Sequence, residues 1–230
     1  MAAAIDQPLT DLEAFARQVA GCTRCRLAEG RTQVVFGVGD PNADLMFVGE
    51  APGFHEDKQG IPFVGQAGKL LDKLLAGIGL ARGDVYIANV LKCRPPGNRD
   101  PQPDEIEACE SHLFRQIELI RPVVIATLGN FATKLLSARP TGITRVHGQE
   151  QRTTLAGRSL LLYPLYHPAA ALYTPKMLEV LEADFRRIPE LLAREVDVPP
   201  PPPPTFAPAE PEPVYAPTAV EPIPVQLGLF

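Results

Sequence analysis

Four short apolar runs punctuate the chain, and between them apolar residues recur every three or four positions. The runs "ADLMFVGE" (43–50), "DVYIANVL" (84–91), "RPVVIATLG" (121–129) and "RSLLLYPLYHP" (158–168) are β-branched, aromatic or leucine-rich, which predicts strands. Between them, "GQAGKLLDKLLAGIGL" (65–80) places apolar residues at 70, 71, 74, 75 and 78, the period of an amphipathic helix closing at Gly79. "QPDEIEACESHLFRQIELI" (102–120) carries acids in its first turn, where they complement the helix dipole. "NFATKLLS" (130–137) and "TPKMLEVLEADFRRIPELLARE" (174–195) complete the helices. Thr10 with Glu13 forms a capping box for an opening helix through about Val19. Strands apolar on both faces, alternating with helices, predict an α/β fold. A three-layer α/β/α sandwich around a mostly parallel sheet is expected.

That architecture gives meaning to three polar residues at the ends of apolar runs. In open α/β sheets, ligands bind outside the carboxyl ends of the strands. Glu50 follows the first run, Asn89 ends the second and His167 follows the last. All three are therefore expected on one rim. His55, Glu56 and Asp57, a few residues past Glu50, read as a solvated loop.

From Val196 the composition changes. Twelve of the last 35 residues are Pro, four are Asp or Glu, and none is Lys or Arg. Such a segment buries too little apolar surface to order itself and is expected to be an extended linker. Without its four acids, residues 1–195 hold 22 basic and 23 acidic side chains, a net charge of −1, and a nearly neutral domain can bind nucleic acid where its bases cluster on one face. The predicted organisation is a domain over 1–195, a disordered Pro-rich linker over 196–225, and an apolar peptide over 226–230. No apolar run reaches the roughly 20 residues of a membrane span. The N-terminus lacks the basic and apolar regions of a secretory signal, so a cytoplasmic location is expected.

Cys22 and Cys25 form a C-x2-C in a polar, basic loop, and Cys93 and Cys109 are the remaining thiols. In a cytoplasmic chain they are not expected to form structural disulfides. Four thiolates can supply a tetrahedral set for zinc or hold an iron–sulfur cluster. Four unrelated buried thiols are the alternative; the residues favour a metal site over it and do not choose the metal.

Taken together, "GEAPG", "PFVGQAG", "IANVLKCRPPGNRDP", "HPAAAL" and the cysteine spacing resemble the family 4 uracil-DNA glycosylases over about residues 15–190. The resemblance implies excision of uracil from DNA, single- or double-stranded, and a monomer associated with the nucleoid is expected. It also implies a structural [4Fe-4S] cluster on Cys22, Cys25, Cys93 and Cys109. The base pocket would then comprise Gly49, Glu50, Ala51, Phe63, Asn89 and His167.

The chemistry of these residues suits that reading. Uracil leaves readily only if charge developing on its O2 is stabilised, and His167 can donate a hydrogen bond there. The Asn89 amide offers one donor and one acceptor, matching uracil O4 and N3–H and mismatching cytosine. Phe63 can stack on the base through an exposed ring, and the glycines and Pro52 let backbone approach it. Glu50 orients or deprotonates the attacking water, or stabilises the positive sugar by charge alone. The best-known uracil glycosylases carry an aspartate one position later, where this chain has Ala51. Two further departures matter. Tyr173 stands where related sequences often have a basic residue, and "PPGNRDPQP" lacks the histidine with which a related branch traps itself on uracil. Turnover is therefore expected.

The final residues "QLGLF" resemble the Gln-Leu-x-Leu-Phe peptide by which bacterial repair proteins dock on the sliding clamp. Gln226 would fix the peptide's entry, with Leu227, Leu229 and Phe230 as its apolar part. Two other functional readings compete with the glycosylase. One is a non-catalytic iron–sulfur or zinc protein that binds nucleic acid. The other is a nucleotide hydrolase using "GEAPG" as a phosphate loop, which the absence of a following G-K-[ST] disfavours.

Overall fold

The computed structural model describes residues 10–196, and the Pro-rich segment and terminal peptide lie outside them. Six strands form one sheet: β1 Val38–Gly39, β2 Leu45–Gly49, β3 Tyr86–Asn89, β4 Val124–Leu128, β5 Gln151–Leu155 and β6 Arg158–Leu165. Their spatial order is β1-β3-β2-β4-β6-β5. The inner four run parallel, and β1 and β5 pair antiparallel at the two edges.

Alternate residues of the inner strands enter separate cores, which makes the molecule three layers deep. Met46, Val48 and Ile125 pack with Leu113 and Ile117 of the helix Pro103–Ile120. Leu45, Phe47 and Ala126 pack on the other face with Leu71 and Leu75 of the helix Gln66–Gly77 and with Phe185. Every residue of β2, β3 and β4 is buried. Such strands need both faces covered, and the helices cover them. Phe47 stacks on Phe185 with centroids 5.7 Å apart, tying the centre of the sheet to the helix Pro175–Phe185.

The four apolar runs and the main helices form where the pattern places them, including the Thr10–Glu13 capping box. Three features differ from the sequence reading. The edge strands were not expected: β1 is two residues long, and β5 alternates polar residues along a half-exposed edge. β5 turns into β6 through Ala156 and Gly157, both at positive φ, as a two-residue hairpin turn of the primed type requires. The predicted closing helix is two helices, Pro175–Phe185 and Ile188–Val196, because Pro189 has no N–H to continue the first. Residues Phe54–Gln59 form a short helix ended by Gly60 at φ +71°, not a solvated loop. Among the described residues no helix is long and apolar enough to cross a membrane.

Candidate active site

The β2–β3 connection leaves to one side of the sheet and the β4–β6 connection to the other, so the topological switch lies between β2 and β4. The strand register puts Gly49 beside Asn89 and Leu128 beside Leu165. The residues that follow these strand ends therefore converge. A cavity of about 370 Å³ opens there, and Glu50, Ala51, Phe63, Asn89 and His167 line it with the Pro52–Gly53 turn.

Gly49 lies under this cavity and has to be glycine. A Cβ there would sit 2.4 Å from Asn89 Oδ1 and 2.7 Å from Phe63 Cζ. The missing side chain lets the amide and the ring close over the end of β2.

Asn89 is 2% exposed, and its Oδ1 is one of two buried side-chain polar atoms without a hydrogen-bond partner among the described residues. Buried polar atoms are nearly always paired, so an orphan on a cavity wall marks a place for a ligand donor. The backbone beneath is anchored. Lys92 Nζ donates to the Asn89 carbonyl at 2.7 Å and to Gln116 Oε1 at 2.5 Å. Gln116 Nε2 in turn donates to the Phe36 carbonyl at 2.9 Å.

Phe63 is 6% exposed rather than open to solvent. Its ring stacks against the His167 imidazole at 5.6 Å and 29°. Its backbone has φ +54°, a conformation that bulky residues hold only when their surroundings impose it. The restraints come from both sides. Arg82 donates to the Pro62 and Phe63 carbonyls at 2.8 and 2.5 Å, and Glu56 Oε1 accepts from the Val64 and Gly65 amides at 2.9 Å each. Gly68 completes the fit, since a Cβ there would lie 1.7 Å from the Phe63 carbonyl oxygen.

His167 caps the short helix Pro168–Ala171, its Nδ1 accepting from the Ala169 amide at 3.1 Å. With Nδ1 an acceptor, the neutral ring carries its proton on Nε2, where it is a donor. Burial, opposed by the charge of Glu56, pushes the imidazole pKa down to about 4. Glu50 is half-buried, and burial followed by the nearby Asp100 charge raises its carboxyl above the ordinary value. It is thus a stronger proton acceptor than a solvated carboxylate.

The four cysteines lie on the other side of Lys92. All four thiols are free, and all four line one enclosed cavity together with Arg31, Lys92 and His112. Two N–H donors approach the sulfurs, Lys92 N–H to Cys109 at 3.3 Å and Arg31 Nη1 to Cys93 at 3.5 Å, and His112 Nε2 shares a hydrogen bond with Cys22 Sγ at 3.3 Å. Among the described residues, no three His, Cys, Asp or Glu side chains converge as a ligand set for a single ion. Burial pushes the Cys93 thiol up to about 11 and raises Cys109 as well, so in the absence of a metal these sulfurs hold their protons. Four soft sulfur ligands beside the cations Arg31 and Lys92 suit an anionic iron–sulfur cluster.

Arg82 and Lys92 did not stand out in the sequence, and Glu56 reads there only as part of a solvated loop. Only Lys92 left a trace there, a charge set inside the apolar "NVLKC". Tyr173, which replaces the expected basic residue, is 88% exposed.

Residues 36–189 match the family model described as the uracil DNA glycosylase superfamily. The chain is 48% identical over 191 residues to a type-4 uracil-DNA glycosylase of Archaeoglobus fulgidus, covering 81% of this chain and 96% of that protein. It is 47% identical over 188 residues to the type-4 uracil-DNA glycosylase of Sulfurisphaera tokodaii, covering 80% and 86%. A type-5 uracil-DNA glycosylase of Pyrobaculum aerophilum is 31% identical over 186 residues, covering 67% and 81%.

Proposed function

The chain belongs to the uracil DNA glycosylase superfamily, and from that premise we propose that it hydrolyses the N-glycosidic bond of deoxyuridine in DNA. The observation that carries this reading is the orphaned Asn89 oxygen on the same cavity wall as the His167 imidazole. With uracil seated there, Asn89 Oδ1 accepts from N3–H and its amide nitrogen donates to O4. Cytosine presents an unprotonated N3 and an amino group, so both contacts fail. Phe63 supplies an apolar wall for the base.

As the C1′–N1 bond stretches, the electron pair moves onto uracil and positive charge onto the sugar. His167, donating from Nε2, stabilises the charge at O2 without transferring a proton. The Glu50 carboxylate faces the sugar charge and accepts the proton of the water that adds to C1′. Uracil leaves as the anion or takes that proton, and the strand keeps an abasic site. The reaction is monofunctional in this reading: water, not an enzyme amine, adds to C1′.

Cys22, Cys25, Cys93 and Cys109 would hold a [4Fe-4S] cluster, which would tie the N-terminal loop to the helix Pro103–Ile120. In this reading residues 1–195 form a monomeric cytoplasmic glycosylase domain. Residues 196–225 are its linker, and Gln226, Leu227, Leu229 and Phe230 engage the sliding clamp.

The test is incubation with a uracil-containing single-stranded oligonucleotide, without added metal, followed by alkali. Cleavage at the uracil position is expected. Intact oligonucleotide would leave the runner-up, a non-catalytic iron–sulfur or zinc nucleic-acid-binding protein.

A further inference from the structure

The helix Phe54–Gln59 rises from the rim of the base cavity, directly after Gly53, which lines it. Its two acids face inward. Glu56 accepts from the Val64 and Gly65 amides, and Asp57, 4% exposed, accepts from the Thr32 amide at 2.9 Å. The outward side carries Phe54 and Lys58, one turn apart, with His55 and Gln59 also exposed and the His55 ring edge-on to Phe54 at 5.5 Å. Phe54 is 50% exposed although it is a large aromatic beside a functional cavity.

Two cations attend this ring. Lys58 Nζ lies 5.9 Å from its centroid, and the Arg94 guanidinium carbon 5.2 Å. Arg94 comes from the segment that follows β3, next to the lining residue Pro95, and Asn98 Oδ1 fixes its Nε at 2.6 Å. Nearby arginines are neutralised, Arg26 by Asp104 at 2.5 Å and Arg99 by Glu105 at 2.5 Å. Among the described residues, neither Lys58 nor Arg94 has a carboxylate within salt-bridge distance.

We propose that Phe54, Lys58 and Arg94 form a docking surface for the DNA strand flanking the excised base. The inference rests on the glycosylase reading of the adjacent cavity. The chemistry selects the occupant. An exposed aromatic with two uncompensated cations matches a strand that alternates flat bases with phosphates. Lys58 and Arg94 meet phosphates, while Phe54 and the guanidinium plane lying over it meet a base beyond the two immediate neighbours of uracil, which a trinucleotide lacks. A protein partner of acidic character is the competing occupant, and the test separates it.

Phe54→Ala, Arg94→Gln and Phe54→Trp variants would be compared with the full chain in two assays. The first is binding to a uracil-free single strand of roughly 20 nucleotides across a salt series. Phe54→Ala should weaken binding about tenfold, and Phe54→Trp should restore it. Arg94→Gln should lower the slope of log K against log salt by about one phosphate contact. The second is uracil excision from this strand length and from a trinucleotide with central uracil. Excision should fall for the long substrate and stay within about twofold of wild type for the short one. Unchanged binding and excision in Phe54→Ala and Arg94→Gln would overturn the proposal and leave an acidic protein as the occupant. Equal losses on both substrates would overturn it too, as damage to the cavity itself. If the wild-type chain binds the strand through these residues but excises nothing, the surface stands and the glycosylase reading fails.

Discussion

Lys92 Nζ donates to the main-chain carbonyl of Asn89 at 2.7 Å from a position only 1% exposed. The same residue's N–H donates to Cys109 Sγ at 3.3 Å. One residue thus supports both the backbone of Asn89 and the thiol set. Burial lowers its pKa to about 8, so its charge is maintained at a cost offset by the Asn89 and Gln116 oxygens.

Lys92→Met should therefore leave two buried acceptors unpaired, at about 1–3 kcal/mol each. Thermal and urea unfolding should show this loss. The excision rate on uracil should fall more than strand binding, because Asn89 is loosened while the outer surface is untouched. Wild-type stability and rate in Lys92→Met would remove the supporting role.

Replacing the pocket groups tests their assigned contacts. Asn89→Asp exchanges the amide donor for an acceptor or hydroxyl and should relax discrimination against cytosine. A bidentate base contact is worth roughly 1–3 kcal/mol, so the change should be measurable and incomplete. His167→Ala should slow excision by about 10²–10³, the usual effect of losing one donor to a developing oxyanion. Single-turnover rates on paired uracil and cytosine substrates are the measurement. Wild-type rates in both variants would mean the pocket is misassigned.

The sequence carried the centre of this fold because β2, β3 and β4 are apolar on both faces. It did not carry the edges, where β1 is too short for a pattern and β5 is half-exposed and polar. Glu50, Asn89 and His167 were legible as polar residues closing apolar runs. Arg82 and Glu56 were not, because their partners are backbone groups of the Pro62–Gly65 segment, a relation that only folding creates. The Phe54–Gln59 helix has no side-chain cap and only six residues, leaving little for a periodicity argument.

Acid should act on the two titrating groups in opposite senses. The His167 pKa in the fold, about 4, lies below its ordinary 6.5. Between those values the unfolded chain binds a proton that the fold refuses, so stability falls as pH drops from about 6.5 to about 4. Glu50 has a raised pKa, so the fold retains a proton the unfolded chain has lost. Its contribution falls as pH rises from 4.5 through its folded value. Glu50→Gln should therefore be more stable than wild type at neutral pH while excising uracil far more slowly. It should also lose the acid limb of kcat/KM that Glu50 protonation imposes. A Glu50→Gln enzyme with the wild-type pH profile would dismiss Glu50 as the group that must be ionised.

The thiol set makes a prediction that can be seen. Purified protein should be brown, with broad absorbance near about 400 nm, which zinc thiolates do not give. Cys22→Ser and Cys109→Ser should bleach it and lower the unfolding temperature more than they change the single-turnover rate of the folded fraction. The reason is that the thiols lie beyond Lys92 from the base cavity. Colourless protein with stoichiometric zinc would overturn the cluster assignment.

The terminal peptide, outside the described residues, leads to the last prediction. Three of the final five residues are large and apolar, and they follow a segment with no core to offer them. If Gln226–Phe230 engages the sliding clamp, the 30 residues of 196–225 could reach on the order of 80–90 Å at the rise of a polyproline helix. The clamp would then raise the enzyme's effective concentration on DNA without altering its active site. A peptide ending in Gln226–Phe230 should bind the host clamp, and one with Leu229→Ala and Phe230→Ala should not. Deleting residues 226–230 should leave excision from a short oligonucleotide unchanged but slow it on clamp-loaded DNA. Equal binding by the two peptides, or none by either, would defeat the clamp assignment. A deletion that slowed the short-oligonucleotide reaction would instead tie the peptide to the glycosylase domain itself.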